Sequence, residues 1–436
     1  MKADRLVLAW CVLLAGVGPA FAQETPDTGN YVSREEYEAL KKEVEELKAT
    51  IAALQTPPAT QPAEEPEARY QELRDRVTQD ILAKLPGEMS GTTLWMIVGD
   101  ASAGFISPDD ADSTFTVDFS PLFLWQLQER LFLEAGVDFS LSNDPNGDNA
   151  ETNVDLGPAD ISYLLNDYVA IVGGQFPVPF GMYHTHLDPP WINKFPDDPL
   201  PFGDNGISPD LGLGVMATGA FPVGPTKFNY GVYVANGPVV LTSDSDTAGS
   251  LSFEDWNDVN NNKSVGGRIG FLPIPSLEIG YSIQCARVNP DGFHEVNALL
   301  QALDLNFVRD FAPLQGRVTV RSEWVWSNVD KATYLPQPPL GLGRRFDNDR
   351  NGGYVELAYR PSMLESKILR KLEFAVRYDI LRASGQAPGG GTEHRWAVGL
   401  DYWINPNAVI KTAYVIDDKE SGPDQNVVMV QVGIGI

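Results

Sequence analysis

Two periodicities divide the chain, and the change comes near Thr92. Before it, apolar residues fall at Tyr37, Leu40, Val44, Leu47, Ile51 and Leu54, in alternating steps of three and four with Glu and Lys between them. That spacing is a coiled-coil seam. Ser33 and Glu36 form a capping box at its start, in which the serine caps the helix and the glutamate reaches back. Pro57 and Pro58 end it. The pattern predicts a coiled coil over 31–55, then a Pro/Ala/Glu linker with a short helix over 56–91. No bulk follows directly for a single amphipathic helix to lie on, so the seam points to self-association.

After Thr92 the period becomes two and stays two. In Gln425 to Ile436, Val428, Val430, Val432, Ile434 and Ile436 alternate with Met429, Gln431, Gly433 and Gly435. In 371–383, Leu372, Phe374, Val376, Tyr378 and Ile380 alternate with Lys371, Glu373, Ala375, Arg377 and Asp379. In 393–404, Trp396, Val398, Leu400, Tyr402 and Ile404 alternate with Arg395, Ala397, Gly399, Asp401 and Trp403. The same dyad marks strands near 92–105, 113–127, 130–141, 152–165, 168–178, 210–221, 226–236, 263–272, 275–288, 297–309, 315–328, 351–361, 371–383, 393–404, 407–417 and 425–436. Tight connections such as Asn166-Asp167, Phe221 to Pro225, Pro273-Ile274 and Pro406 take turns with long polar ones. An even number of strands with that alternation is the mark of an outer-membrane barrel.

The expected fold class is an all-β transmembrane barrel of sixteen antiparallel strands over 92–436, preceded by an α-helical coiled coil. Strands in lipid must close, because an open edge cannot be satisfied there. Sixteen closed strands leave an aqueous channel. The polar faces then line water, with Asp118, Glu134, Asp138, Lys227, Arg268, Glu278, Asp304, Arg317, Arg321, Glu323, Glu356, Arg360, Glu373, Arg377, Asp379, Arg395 and Lys411 among them. Tyr168, Trp324, Trp326, Tyr359, Tyr402 and Trp403, near strand ends, are candidates for an aromatic girdle.

Composition agrees with that architecture. Hydrophobic residues make up 43%, with 40 Gly, 15 Tyr and 9 Trp, as in a barrel that shows lipid at every second residue. After residue 22 no stretch is long and apolar enough for a helical span. Lys2 and Arg5 precede the apolar run Leu6 to Val17, and Ala20-Phe21-Ala22 follows, so residues 1–22 read as a signal peptide cleaved before Gln23. Cleavage removes Lys2, Arg5 and Asp4 and leaves a net charge near −28. Nucleic acid is an unsuitable partner for such a surface. Of the two cysteines, Cys11 lies in the signal core, and Cys285 alone can form no intrachain disulfide.

The longest connection in the barrel region, 179–209, follows the fifth strand. It carries Trp191, Ile192, Phe195 and Phe202 among seven prolines, which is too apolar for a loop in solvent, so it is expected to fold into the lumen and narrow it. The stretch GGQFPVPFGMY, Gly173 to Tyr183, closes the fifth strand and opens this loop. With the coiled-coil lead and sixteen strands, it resembles the phosphate-selective porin O and P family over essentially 92–436. The resemblance implies a trimer, a third loop that forms the constriction and, in phosphate-selective members, arginines and lysines lining it. This loop departs from that pattern, with Asp188, Asp197, Asp198 and Asp204 against one cation, Lys194. The chain also ends in Ile436, where barrel proteins usually end in an aromatic residue.

Candidate pore residues follow. His184, His186, Asp188, Lys194, Asp197, Asp198 and Asp204 are placed at the constriction, and Arg268, Arg317, Arg321, Arg360, Arg377 and Arg395 on a basic lumen wall. An acidic loop facing that wall would set a transverse field across a narrow waist. The competing expectation is that each arginine pairs with a neighbouring Glu323, Glu356, Glu373 or Asp379. His184, His186 and Asp188 would share a face if their segment were extended, but a zinc site also needs tetrahedral closure and a second shell, so no metal or other cofactor is assigned. Asp347-x-Asp349-x-Asn351-Gly352 begins like a calcium loop, yet Ala358 stands where the bidentate glutamate belongs. The acidic outer loops are left as solvated faces able to bridge loosely to lipopolysaccharide through divalent ions. No nucleophile, base and orienting set appears, so no enzyme is expected. The resulting expectation is a bacterial outer-membrane porin for passive diffusion of small ions and solutes, anions such as phosphate included, with its coiled coil in the periplasm helping assembly or spacing it from the cell wall. The alternative is a barrel-anchored tether with a plugged pore.

Overall fold

The computed structural model describes residues 94–143, 150–203, 206–242, 247–253, 262–290, 294–334, 344–387 and 389–436. The expected signal peptide, coiled coil and linker helix lie outside them. Twenty strands follow in chain order: β1 Leu94–Pro108, β2 Thr114–Gln128, β3 Leu131–Asn143, β4 Ala150–Asn166, β5 Val169–Pro177, β6 Leu211–Val223, β7 Thr226–Asn236, β8 Val239–Val240, β9 Leu251–Ser252, β10 Lys263–Ile274, β11 Leu277–Arg287, β12 Asn297–Phe311, β13 Gly316–Val329, β14 Ala332–Tyr334, β15 Arg344–Phe346, β16 Arg350–Arg360, β17 Leu372–Ala383, β18 Gly391–Asn405, β19 Ala408–Lys419 and β20 Gln425–Gly435. Sixteen of them close one antiparallel barrel, while β8 with β9 and β14 with β15 form two small hairpins in its connections.

The seam is β1 against β20, running from Asp100 opposite Gly435 to Pro108 opposite Val427. Each barrel strand lies within a few residues of its expected position, because a period of two leaves little freedom in register once one face is apolar. On β17, Glu373, Ala375, Arg377 and Asp379 are buried inside while Phe374 is exposed outside. On β18, Ala397 and Asp401 face inward, and Trp396, Val398 and Leu400 outward. The chain thus presents Val232, Ile269, Val355, Phe374 and Val398 outward and encloses Arg268, Asp304, Glu323, Arg377 and Lys411. This is the inverse of a water-soluble protein. An apolar exterior around a closed, hydrogen-bonded wall is what a bilayer requires.

Short connections alternate with long ones around most of the barrel, with one departure. Residues 361–371, between β16 and β17, lie on the short-turn side yet include a 3-10 turn at Leu369–Lys371. A second correction concerns Trp403. It is buried on the lumen side, where its Nε1 donates to Glu373 Oε2 at 2.6 Å, and it belongs to no girdle. Parity explains this, since Trp403 shares the inward face of Asp401.

Candidate functional site

The chain between β5 and β6 turns inward and crosses the lumen. Its start is fixed by backbone donors meeting side chains on the far wall. Gly181 N–H donates to Ser282 Oγ at 2.9 Å, and the N–H groups of Met182 and Tyr183 both donate to Glu323 Oε2, at 2.9 and 3.0 Å. Gly181 adopts φ +68°, and a Cβ there would lie 1.5 Å from Glu323 Oε1, so glycine is required on both counts. Tyr183–Leu187 then forms one π-helical turn. Phe180, Met182, Tyr183, Leu187, Phe202 and Ile207 bury themselves against Phe176, Tyr233, Leu300, Val325 and Tyr354. The loop fills this side of the lumen with an apolar core.

Further along, the loop seats on β16 to β19. Phe195 is 0% exposed and rests among Ala358, Ala375, Ala397 and Ala413, with its ring 3.0 Å from where a Cβ on Gly399 would stand. Small residues at successive inward positions therefore make a socket for one aromatic ring. Charged groups surround it. The Arg377 guanidinium lies 4.8 Å from the centre of the Phe195 ring, and Lys411 Nζ donates to the Phe195 carbonyl at 3.0 Å. Arg377 also donates to Asp197 Oδ2 at 2.8 Å, to the carbonyls of Asp197 and Asp198, and to Asp379 Oδ2 at 3.0 Å. Arg395 reaches the same Asp197 carboxylate at 3.2 Å and pairs with Asp417 at 2.7 Å. Lys194 pairs with Glu373 at 2.9 Å, and Arg321 Nη1 donates to the Ile192 carbonyl at 3.1 Å and to Glu356 at 3.3 Å. The tip reaches the seam strand β20, where Cβ atoms on Gly433 and Gly435 would collide with Pro190 and Trp191.

What the loop leaves open is a cavity of about 520 Å3 on the other side of the lumen, between the loop and β1 to β5 with β20. Asp100, Asp118, Asp138, Asp188, Asp198 and Asp210 line it with His184.

Residues 306–431 match the family model for phosphate-selective porin O and P. The fold is similar to that of Salmonella typhi OmpF, solved in complex with daunomycin, at 13% identity and a TM-score of 0.50 over 78% of this chain and 97% of that one. An anion-selective porin from Comamonas acidovorans is similar at 11% identity and a TM-score of 0.49, over 79% and 100%. The outer-membrane channel DcaP of Acinetobacter baumannii is similar at 12% identity and a TM-score of 0.48, over 80% and 99%. The likeness to these structures is one of fold alone. No curated protein matches the chain.

Within this barrel the residues singled out in the sequence separate into groups. Asp197 is spent on Arg377 and Arg395, and Lys194 on Glu373. Asp198 accepts the Tyr183 hydroxyl at 2.7 Å, while Asp188 opens onto the cavity. Asp204 lies outside the described residues. The extended-face geometry for His184, His186 and Asp188 does not hold, because the π-helical turn sends alternate side chains apart. His184 Nδ1 lies 3.8 Å from Asp210, and His186 Nδ1 shares a hydrogen bond of 2.6 Å with Thr185.

Arg268, Arg317, Arg321, Arg377 and Arg395 are paired with carboxylates, and Arg360 is held by a backbone carbonyl and an aromatic ring. Arg268 binds Asp304 at 2.6 Å and Glu278 at 3.0 Å. Arg317 pairs with Asp310 at a half-exposed position, and Arg360 lies 5.1 Å from the Trp403 ring and donates to the Arg370 carbonyl. The expected transverse field needs a water gap between loop and wall. Asp197 instead touches Arg377, so at that contact no gap exists. Of the four carboxylates expected to pair with arginines, Glu356 and Asp379 do so, Glu373 takes Lys194, and Glu323 takes loop amides.

The loop's titratable groups are shifted by enclosure. Loss of bulk solvent raises Asp188 well above its ordinary value, and repulsion from Asp198, Asp210, Asp100 and Asp138 adds to it. Burial likewise raises Asp198, against the stabilising hydrogen bond from Tyr183. His186 is lowered, by enclosure first and by Arg268 second, with Glu278 and Asp304 opposing.

Proposed function

We propose that this protein is an outer-membrane porin, through which small ions and solutes diffuse passively down their gradients. The observation that carries the reading is the connection between β5 and β6 lying inside a closed, outwardly apolar barrel and leaving a cavity of about 520 Å3 beside it. The open cavity favours a channel over a plugged tether. The pore constriction in this reading is made by His184, Asp188 and Asp198 on the loop against β1 to β5, while Lys194, Asp197 and the arginines Arg321, Arg377 and Arg395 hold the loop in place.

The match over 306–431 supports this reading. The resemblance extends it to a homotrimer in outer-membrane lipid, with lipopolysaccharide against the acidic outer loops and the N-terminal coiled coil on the periplasmic side. Purified full-length protein added to a planar bilayer is expected to give stepwise current increments. A bilayer that stays silent while the protein inserts as a folded barrel rejects the reading.

A further inference from the structure

The loop sorts the charges of the lumen. The cations Lys194, Arg321, Arg377, Arg395 and Lys411 point at the loop or its seat. None of them lines the cavity on the other side, and among the described residues that cavity has no lysine or arginine on its wall. Six aspartates stand there against one histidine, His184, which itself lies 3.8 Å from Asp210.

A second observation is independent of those aspartates. Gln431, on β20, is 9% exposed and lines the cavity. Its Nε2 donates to Ser102 Oγ at 3.3 Å, and the Ser102 hydroxyl donates to Asp118 Oδ2 at 2.8 Å. That chain uses the Ser102 donor on Asp118 and leaves Gln431 Oε1 with no hydrogen-bond partner. A buried amide oxygen without a donor is costly, and the groups that relieve it are donors or cations. Asp118, Ser102 and Gln431 together make an acceptor-rich corner in the wall of the cavity.

We propose that the passage beside the docked loop conducts cations in preference to anions, with the Gln431–Ser102–Asp118 corner as a station that a small cation occupies in transit. This rests on the channel reading above and departs from phosphate selectivity. A low-dielectric wall carrying one sign of charge focuses its field into the lumen and concentrates counter-ions there. Acidic rings select cations on that principle. The arginines that would attract phosphate are already engaged by the chain's own oxygens.

The test is the zero-current potential of the full-length protein in a planar bilayer under a KCl gradient. The wild-type potential is expected to have the sign of potassium preference. Asp118→Asn with Asp138→Asn is expected to lower the potassium-to-chloride permeability ratio by roughly twofold or more, with step currents retained. Gln431→Lys, which places a cation at the corner, is expected to shift the potential the same way. Step currents with chloride preference in the wild type, or ratios unchanged in both variants, overturn the proposal and leave the channel standing. The absence of any steps overturns the channel reading and the proposal with it.

Discussion

Arg377 and Asp197 meet at 2.8 Å with the arginine side chain 0% exposed, so the loop is held to the barrel wall by a charge that has no other access to solvent. Asp379 holds the same guanidinium from the strand side at 3.0 Å. Removing Arg377 leaves Asp197 with Arg395 alone and takes the buried partner from Asp379, and breaking a buried pair costs about 3–5 kcal/mol. Arg377→Ala is therefore expected to lower the temperature at which the barrel loses its heat-modifiable mobility on a denaturing gel. Arg377→Lys is expected to restore little, because an ammonium cannot reproduce the planar fork that reaches Asp197, Asp198 and Asp379 together. A lysine variant as stable as wild type contradicts this account.

Phe195 and its alanine socket make a second, uncharged latch. Phe195→Ala removes a ring that is wholly buried, and truncations of that kind cost roughly 3–5 kcal/mol in packed cores. The loop is expected to leave its seat for part of the time. Single-channel records should show larger and noisier steps than wild type. Steps of unchanged size and noise are incompatible with a seated ring that sets the bore.

Gly181 is a third point of dependence, through geometry alone. A methyl group there meets Glu323, and the positive φ is unfavourable for alanine. Gly181→Ala is expected to release the start of the loop and expose 179–209 to protease in the folded barrel. Limited proteolysis followed by mass mapping reads this directly, and a loop as resistant as wild type rules it out.

The acidity of the passage also has a pH signature. Asp188 faces Asp198, Asp210, Asp100 and Asp138, and both Asp188 and Asp198 hold their protons above the ordinary aspartate value of 3.8. Lowering the pH is therefore expected to discharge the passage early, with cation preference falling well before 3.8 is reached. His186 is lowered by its surroundings, so it gains its charge later on acidification than a free imidazole would. For stability the sign is opposite. The folded state binds these protons more tightly than the unfolded chain, so the contribution of the two groups declines as pH rises from 3.8 through their raised values. Reversal potentials recorded across a pH series check the first expectation, and a flat profile refutes it.

The wall was more legible than the loop. Alternation fixed the strands because one face had to meet lipid, and the inward placement of Arg377, Asp379 and Glu373 followed from that parity. The girdle assignment of Trp403 failed where position near a strand end was given weight over the alternation that already put it beside Asp401. The loop's internal shape could not be read. Nothing in its sequence announces a π-helical turn, and the partners Glu323 and Ser282 lie more than a hundred residues away. One signal of the loop does lie in the wall: Ala358, Ala375, Ala397 and Ala413 sit at inward positions of successive strands, and a patch of small residues inside a barrel implies something large resting on it. The wall arginines were visible, but that loop oxygens would claim Arg321, Arg377 and Arg395 is a property of tertiary contact alone.

The two glycines of β20 carry a consequence for how the molecule is made. Gly433 and Gly435 receive Pro190 and Trp191 at the loop tip, and the same strand closes the barrel against β1. The final strand of the chain thus completes both the wall and the resting place of the loop. Until that strand is in position Pro190 and Trp191 lack their resting place, so the loop is fully seated only once the perimeter is sealed. Closure of the wall and seating of the loop tip are joined at one strand.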